Sequence, residues 1–434
     1  MNPLSRGTCP GLADPMLTGD GLLARLTPSA PIDLDVFVAL CEASQLHGNG
    51  VMEVTQRGSL QIRGLSPDSA APFARTVTAL GLGYEGGPQI LASPLLGSDA
   101  EERVDLRALI TGLRTELAQS IDAAAMGPKV SVLIDGGGVL HLDDVPADLR
   151  LRECGVSRLH VSIGGNASSS ASLGWVETHH AVKLIVNLLA AISHRGAGAR
   201  GRDFANDADV CALRASLAGV LTFEPPPPPR SRAEPIGSHR LSNGQVARGV
   251  ALLFGYVEAG ILKRFVKAAA RWGTTSIRAA PGRALLFIGS TAVMAAAAGL
   301  LVQPEDVRRR VVACAGAPAC ASATLSTRQL APSIAQAAGP FLDGSMTIHV
   351  SGCAKGCAHP GAAALTLVGP DRVVVQGRAS DVPHGTISPR NLIEGLKRLQ
   401  AELSRSHTSH ERSAQVISRL GAVRVVEALG GEPA

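Results

Sequence analysis

Apolar and polar positions along the chain run through one order twice. Gly21-Leu22-Leu23-Ala24-Arg25-Leu26 is an apolar run that predicts a strand, and Val36, Phe37, Leu40 and Cys41 then recur at helical spacing. Val51 to Thr55 and Leu60 to Arg63 predict strands around a turn at Arg57-Gly58-Ser59. Past the middle, Val250 to Phe254 predicts a strand and Ile261 to Trp272 a helix. Ser276 to Arg278 and Ala284 to Ile288 then form strands around Pro281-Gly282.

The echo continues beyond these hairpins. Ile90 to Ser93 matches Val311 to Cys314, and each is followed by a helical stretch, Val104 to Ile121 and Arg328 to Phe341. A strand then ends in small residues: Val130 to Ile134 before Gly136-Gly137-Gly138, and Thr347 to Val350 before Ser351-Gly352-Cys353. The chain therefore contains a degenerate duplication, with cysteines in the second copy where the first has serine and glycine. Between the copies, Glu224 and Pro225 to Pro229 form a stiff linker that no helix or central strand can include. The most apolar window, Leu286 to Val302, contains Gly289, Ser290 and Thr291, falls short of a membrane span, and predicts a buried strand and helix.

Composition narrows the class. With 434 residues, 45% apolar positions, 48 glycines and 27 prolines, the chain is a multidomain globular protein rather than a disordered one. A net charge of +5 without a long basic run excludes a nucleic-acid footprint, and scattered arginines fit an acidic small molecule. The N-terminus shows no secretory leader, and grouped cysteines predict a metal site in a cytoplasmic protein rather than a disulfide framework.

The eight cysteines divide into two kinds. Cys314 and Cys320 have five residues between them, Cys353 and Cys357 have three, and both intervening loops are rich in small residues. Four thiolates on short loops that let the backbone approach closely predict a 4Fe-4S cluster. Structural zinc is the competing reading, although its paired ligands usually have two to four residues between them. Cys41 and Cys211 sit in helical patterns and read, with Cys154, as core residues; Cys9 lies in a loop and stays open.

At these spacings the sequence resembles the sulfite and nitrite reductase superfamily, whose members bind a 4Fe-4S cluster late in the chain through cysteines at the same two spacings. Two stretches resemble its tetrapyrrole-hydroxylating, cobalamin-pathway branch more closely: Arg6 to Gly11 with Pro15 to Leu22, and Ile348 to Pro360. Lys129 to Gly138 and Leu142 to Arg150 are similar as well. Where the reductases carry Pro-Asn after the third cysteine, this chain has Ala354-Lys355.

The resemblance implies an α+β (α/β) fold of pseudo-twofold, duplicated sulfite/nitrite reductase-like architecture. Its parts would be a ferredoxin-like half-lobe at 1–98, an α/β lobe without a cluster at 99–224, and the linker at 225–235. A second half-lobe at 236–303 and an α/β lobe with the cluster at 304–434 would follow. It further implies a monooxygenase that hydroxylates precorrin-3A at C20 with lactone formation, using O2 and NADH, with electrons relayed by the cluster. A sirohaem-dependent sulfite or nitrite reductase is the alternative, and only then is sirohaem expected. A separate mononuclear non-haem iron is also implied; His179, His180, His349 and His359 are candidate ligands, none singled out by spacing.

A substrate with many carboxylates needs guanidinium groups to orient it. Arg57, Arg63, Arg278 and Arg283, which recur on both hairpins, are the candidates, with Lys129 and Lys355 behind them. Gly196 to Gly201 matches the dinucleotide fingerprint by letter. It follows a predicted helix, His179 to His194, where that fingerprint needs a strand, so NADH is expected to act through a separate electron-donor protein.

Overall fold

The computed structural model describes residues 10–83, 87–120, 126–127, 129–155, 157–292 and 294–434. The first copy opens with strands β1 (Met16–Thr18), β2 (Gly21–Leu26) and β3 (Ile32–Asp33), then helix α1 (Leu34–His47). The hairpin β4 (Val51–Val54) and β5 (Leu60–Leu65) and helix α2 (Pro67–Ala79) complete the unit. Ser66 caps α2 by accepting from the Ser69 amide, with Pro67 preset for the first turn. The second lobe adds β6 (Gln89–Ala92), α3 (Arg107–Ser120), β7 (Ser131–Asp135), β8 (Ala147–Glu153), β9 (Arg158–Gly165), β10 (Ala171–Glu177), α4 (Ala181–His194) and α5 (Asp207–Ser216).

After the linker the plan repeats with β11 (Gly237–Arg240), β12 (Val246–Leu252), β13 (Tyr256–Glu258), α6 (Ala259–Ala270), β14 (Ser276–Ala280), β15 (Ala284–Ile288) and β16 (Leu300–Leu301). The last lobe holds β17 (Val311–Ala313), α7 (Thr327–Ala338), β18 (Ile348–Ser351), β19 (Ala363–Val368), β20 (Arg372–Gly377), β21 (Gly385–Thr386), α8 (Leu392–Ser406), α9 (Ser413–Leu429) and β22 (Glu432–Pro433). None of the described helices is long and apolar enough to cross a membrane.

The two smaller units exchange sheet edges. β13 pairs with β4 (Val257 opposite Met52), and β3 pairs with β14 (Ile32 opposite Ile277), so each unit's sheet is completed by a strand of the other. One hydrophobic core follows, in which Phe37, Leu40 and Ile62 pack with Leu262, Ile277 and Phe287. Phe37 and Phe287 are fully buried, each contributing about 2 kcal/mol of transfer free energy. The two larger lobes repeat one sheet plan. β6, β7 and β8 run parallel before antiparallel β9 and β10; β17, β18 and β19 run parallel before antiparallel β20. Loops leaving the C-terminal ends of parallel strands are the usual binding edge of such sheets.

Two expectations fail here. The helix predicted within 286–302 does not form: β15 ends at Ile288, and the described residues up to the short β16 are irregular. Alanine propensity without a core-facing apolar stripe does not sustain a short helix, and Gly289 and Gly299 both adopt positive φ. Cys211 is exposed, because α5 has no fully buried residue, whereas Cys41 is buried in α1 as expected. Cys154 is half-buried, and Cys9 lies outside the described residues.

Candidate metal centre

The cysteine loops leave the ends of β17 and β18. These strands pair in parallel with Ala313 opposite Val350, and the Cys314 amide continues the ladder to the Val350 carbonyl at 3.2 Å. The first thiol thus emerges beside Ser351, directly before the second loop. The loops touch through glycine. A Cβ on Gly352 would lie 2.5 Å from Ala323 Cβ and 3.3 Å from Gly316 Cα, and Gly316 itself has φ +68°. Further backbone bonds fold the first loop: Cys320 N to Gly316 O (2.7 Å), Ala317 N to Leu325 O (2.9 Å) and Thr324 N to Gly352 O (2.9 Å).

The surroundings favour negative charge. The Gly352 amide donates to Cys314 Sγ at 3.1 Å, and α7 begins at Thr327, whose hydroxyl donates to the Cys314 carbonyl at 2.6 Å. A helix N-terminus and a backbone N–H both stabilise a thiolate. Cys314, Cys320 and Cys353 are half-buried and Cys357 is exposed. Among the described residues no three His, Cys, Asp or Glu side chains gather around a point suited to a single ion. A cube takes its four thiolates at separate corners, and two small-residue loops in contact fit that demand.

The predicted substrate residues occupy different positions. The two hairpin turns meet, with the Gly282 amide donating to the Gln56 carbonyl at 3.1 Å, so half-buried Arg57 and Arg283 belong to adjoining tips. Arg283 donates to the Ala358 carbonyl at 2.9 Å, and burial holds its pKa down to about 10 despite the pull of Glu53 and Cys314. Arg278 donates to the Ser29 carbonyl at 3.2 Å; burial and the like charge of Arg114 bring it to about 10 as well. Lys129 is half-buried just before β7, and Lys355 reaches Ser322 Oγ at 3.0 Å.

Arg63 departs from the expectation that both hairpins' arginines face a ligand. It is 4% exposed and forms a two-point pair with Asp20 (3.0 and 2.8 Å). It also lies 3.6 Å from Glu53 and donates to the Ala319 carbonyl, so its donors are spent inside the protein. Glu53, which also pairs with Arg328, and Asp20 are the charged residues that sequence reasoning missed. Their signal was hidden, because their role depends on an arginine distant in sequence.

His349 is fully buried, with neither ring nitrogen hydrogen-bonded to the described residues, its centroid 5.6 Å from that of His359. Burial, then His359 and Arg283, push its pKa down to about 3, so it is neutral. No carboxylate forms a three-ligand group with this pair among the described residues, so the implied two-histidine, one-carboxylate iron site is not assembled here. His179 and His180 are exposed, 3.9 Å apart between ring centroids, at the start of α4.

The place in the first lobe that corresponds to the cluster loops is filled. Asp135 ends β7, and Arg230 from the linker pairs with it and, at two points, with Asp143 (2.7 and 3.2 Å). Arg152 donates to the Pro228 carbonyl at 2.7 Å, so the polyproline linker is strapped across this lobe. Gly196 to Gly201 follows α4 and leads into a single 3₁₀ turn, which is not a dinucleotide-binding geometry.

Duplicated lobes, exchanged small sheets and two touching cysteine-bearing loops at one sheet edge define a protein of the sulfite/nitrite reductase-like fold. The NirA protein of Mycobacterium tuberculosis has the same architecture, with a TM-score of 0.73 at 18% identity over 93% of this chain and 84% of that one. In sequence the chain is 36% identical to a precorrin-3B synthase from Sinorhizobium sp. over 97% of its own length and 94% of the relative. It belongs to the precorrin-3B synthase family. More distant are a ferredoxin–nitrite reductase of Synechococcus elongatus (24%, 81% of this chain and 77% of that one) and a ferredoxin sulfite reductase of Mycolicibacterium paratuberculosis (26%, 73% and 64%). No family model matches the chain.

Proposed function

We propose that this protein is a monooxygenase that hydroxylates precorrin-3A at C20 and closes a lactone from a neighbouring acetate. The observation that carries this reading is near-full-length similarity to a precorrin-3B synthase in a chain whose second cysteine loop is held by the Arg283 guanidinium. One atom of O2 enters the product and the other leaves as water, which consumes two electrons and two protons. When bound by Cys314, Cys320, Cys353 and Cys357, a 4Fe-4S cluster would relay those electrons singly. NADH is their ultimate source through a separate donor protein, in the cytoplasm.

The chain's own residues bind and orient the ring. Arg57, Lys129, Arg278 and Arg283 supply cations for its carboxylates, and the lowered pKa values of Arg278 and Arg283 mark guanidinium groups short of anionic partners. Arg63, already neutralised, is not among them. The test is turnover of precorrin-3A under labelled dioxygen with an added reductant. One labelled oxygen atom per product is expected; unlabelled hydroxylated product, or no product from cluster-loaded protein, refutes the assignment.

A further inference from the structure

Each cysteine loop is gripped by an arginine from a different half of the chain. Arg63 on β5 donates to the carbonyl of Ala319, the residue before Cys320. Arg283, in the β14–β15 turn, donates to the carbonyl of Ala358, the residue after Cys357. Both guanidinium groups therefore end on backbone adjoining the outer cysteine of a loop.

The two are differently balanced. Arg63 is anchored by Asp20 and Glu53, so its charge is cancelled and its position fixed. Arg283 has one hydrogen bond and no ion pair among the described residues, and it adopts φ +64°. That region costs a non-glycine residue about 1 kcal/mol or more, and such strain persists where the side chain is put to use. Gly255 makes room for it: a Cβ there would lie 2.8 Å from Arg283 Cδ.

We infer that Arg63 and Arg283 are positioning residues for the iron–sulfur cluster. Arg63 locks the Cys320 loop in place; Arg283 locks the Cys357 loop and places an unneutralised positive charge beside the thiolates. The inference rests on the cluster assignment proposed above. A charge-assisted hydrogen bond to a loop contributes enough to change its opening rate about tenfold. A nearby cation favours the reduced, more negative cluster.

The test uses full-length protein reconstituted anaerobically, comparing wild type with Arg63→Gln, Arg63→Lys, Asp20→Asn, Arg283→Gln and Arg283→Lys. Iron release to a chelator and the cluster's midpoint potential are the readouts. Arg63→Gln should release iron about tenfold faster, Arg63→Lys should not rescue it because one ammonium cannot replace a planar fork, and Asp20→Asn should fall between. Arg283→Gln should shift the potential negative, with Arg283→Lys restoring it. If both glutamine variants keep wild-type iron release and midpoint potential, the inference is overturned, whatever happens to the KM for the tetrapyrrole, which reports on the separate substrate-binding role proposed for Arg283. Asp20→Asn keeps the Arg63 arm decisive if Arg63→Gln does not fold. A wild type that takes up no cluster overturns the cluster assignment itself.

Discussion

The amide of Gly352 donates to Cys314 Sγ at 3.1 Å, so the backbone entering one cysteine loop holds the first thiol of the other. The contact exists because β17 and β18 run parallel in register and because Gly352 and Gly316 carry no side chains between the loops. Charge-assisted N–H to sulfur bonds of this kind stabilise the ionised ligand.

Gly352→Ala should separate the loops, since its Cβ would fall 2.5 Å from Ala323 Cβ. Overpacking of this kind costs about 1–3 kcal/mol. Iron and acid-labile sulfide per chain should fall well below wild type while the circular dichroism spectrum is retained. Full cluster content in the variant would show that the contact is dispensable.

Cys314→Ser and Cys357→Ser should each lose most of the cluster iron, whereas Cys211→Ser, in exposed α5, should keep it. Equal iron in all three would refute the ligand assignment.

Much of this arrangement was legible in the sequence, and the reasons are local. The β4–β5 and β14–β15 hairpins carry strand alternation around glycine turns, and cysteine spacing alone marks the two loops. Exchange of β3 and β13 between the two small sheets was not legible, because two- and three-residue edge strands leave no periodic trace and depend on distant partners. The fate of Arg63 was hidden for the same reason: Asp20 and Ala319 lie 43 and 256 residues away in sequence. Nor did helical spacing tell which face of α5 would be covered, so Cys211 was misplaced.

The strap on the first lobe gives a pH signature. Burial alone would raise the Asp143 carboxyl, but its bonds to Arg230 win and hold it at about 2 rather than 3.8. A depressed carboxylate contributes stability that is fully present above the unfolded value and is lost as pH falls through the folded one. The contribution is about 2 kcal/mol. Denaturant unfolding measured from pH 5 down to 2 should therefore show a steeper loss in wild type than in Asp143→Asn. Identical slopes would contradict the pairing.

Arg278→Gln should raise the KM for precorrin-3A about tenfold, the loss of one charge-assisted contact, and leave the cluster spectrum unchanged. A changed spectrum with unchanged KM would place Arg278 with the cluster rather than with the substrate.

The most direct test of the central claim is the visible and electron paramagnetic resonance spectrum of anaerobically purified protein. A 4Fe-4S cluster on these four cysteines predicts broad sulfur-to-iron absorption that bleaches on reduction with appearance of a paramagnetic signal, and no isobacteriochlorin bands. Strong sirohaem bands would contradict the account and make the protein a reductase of the same fold.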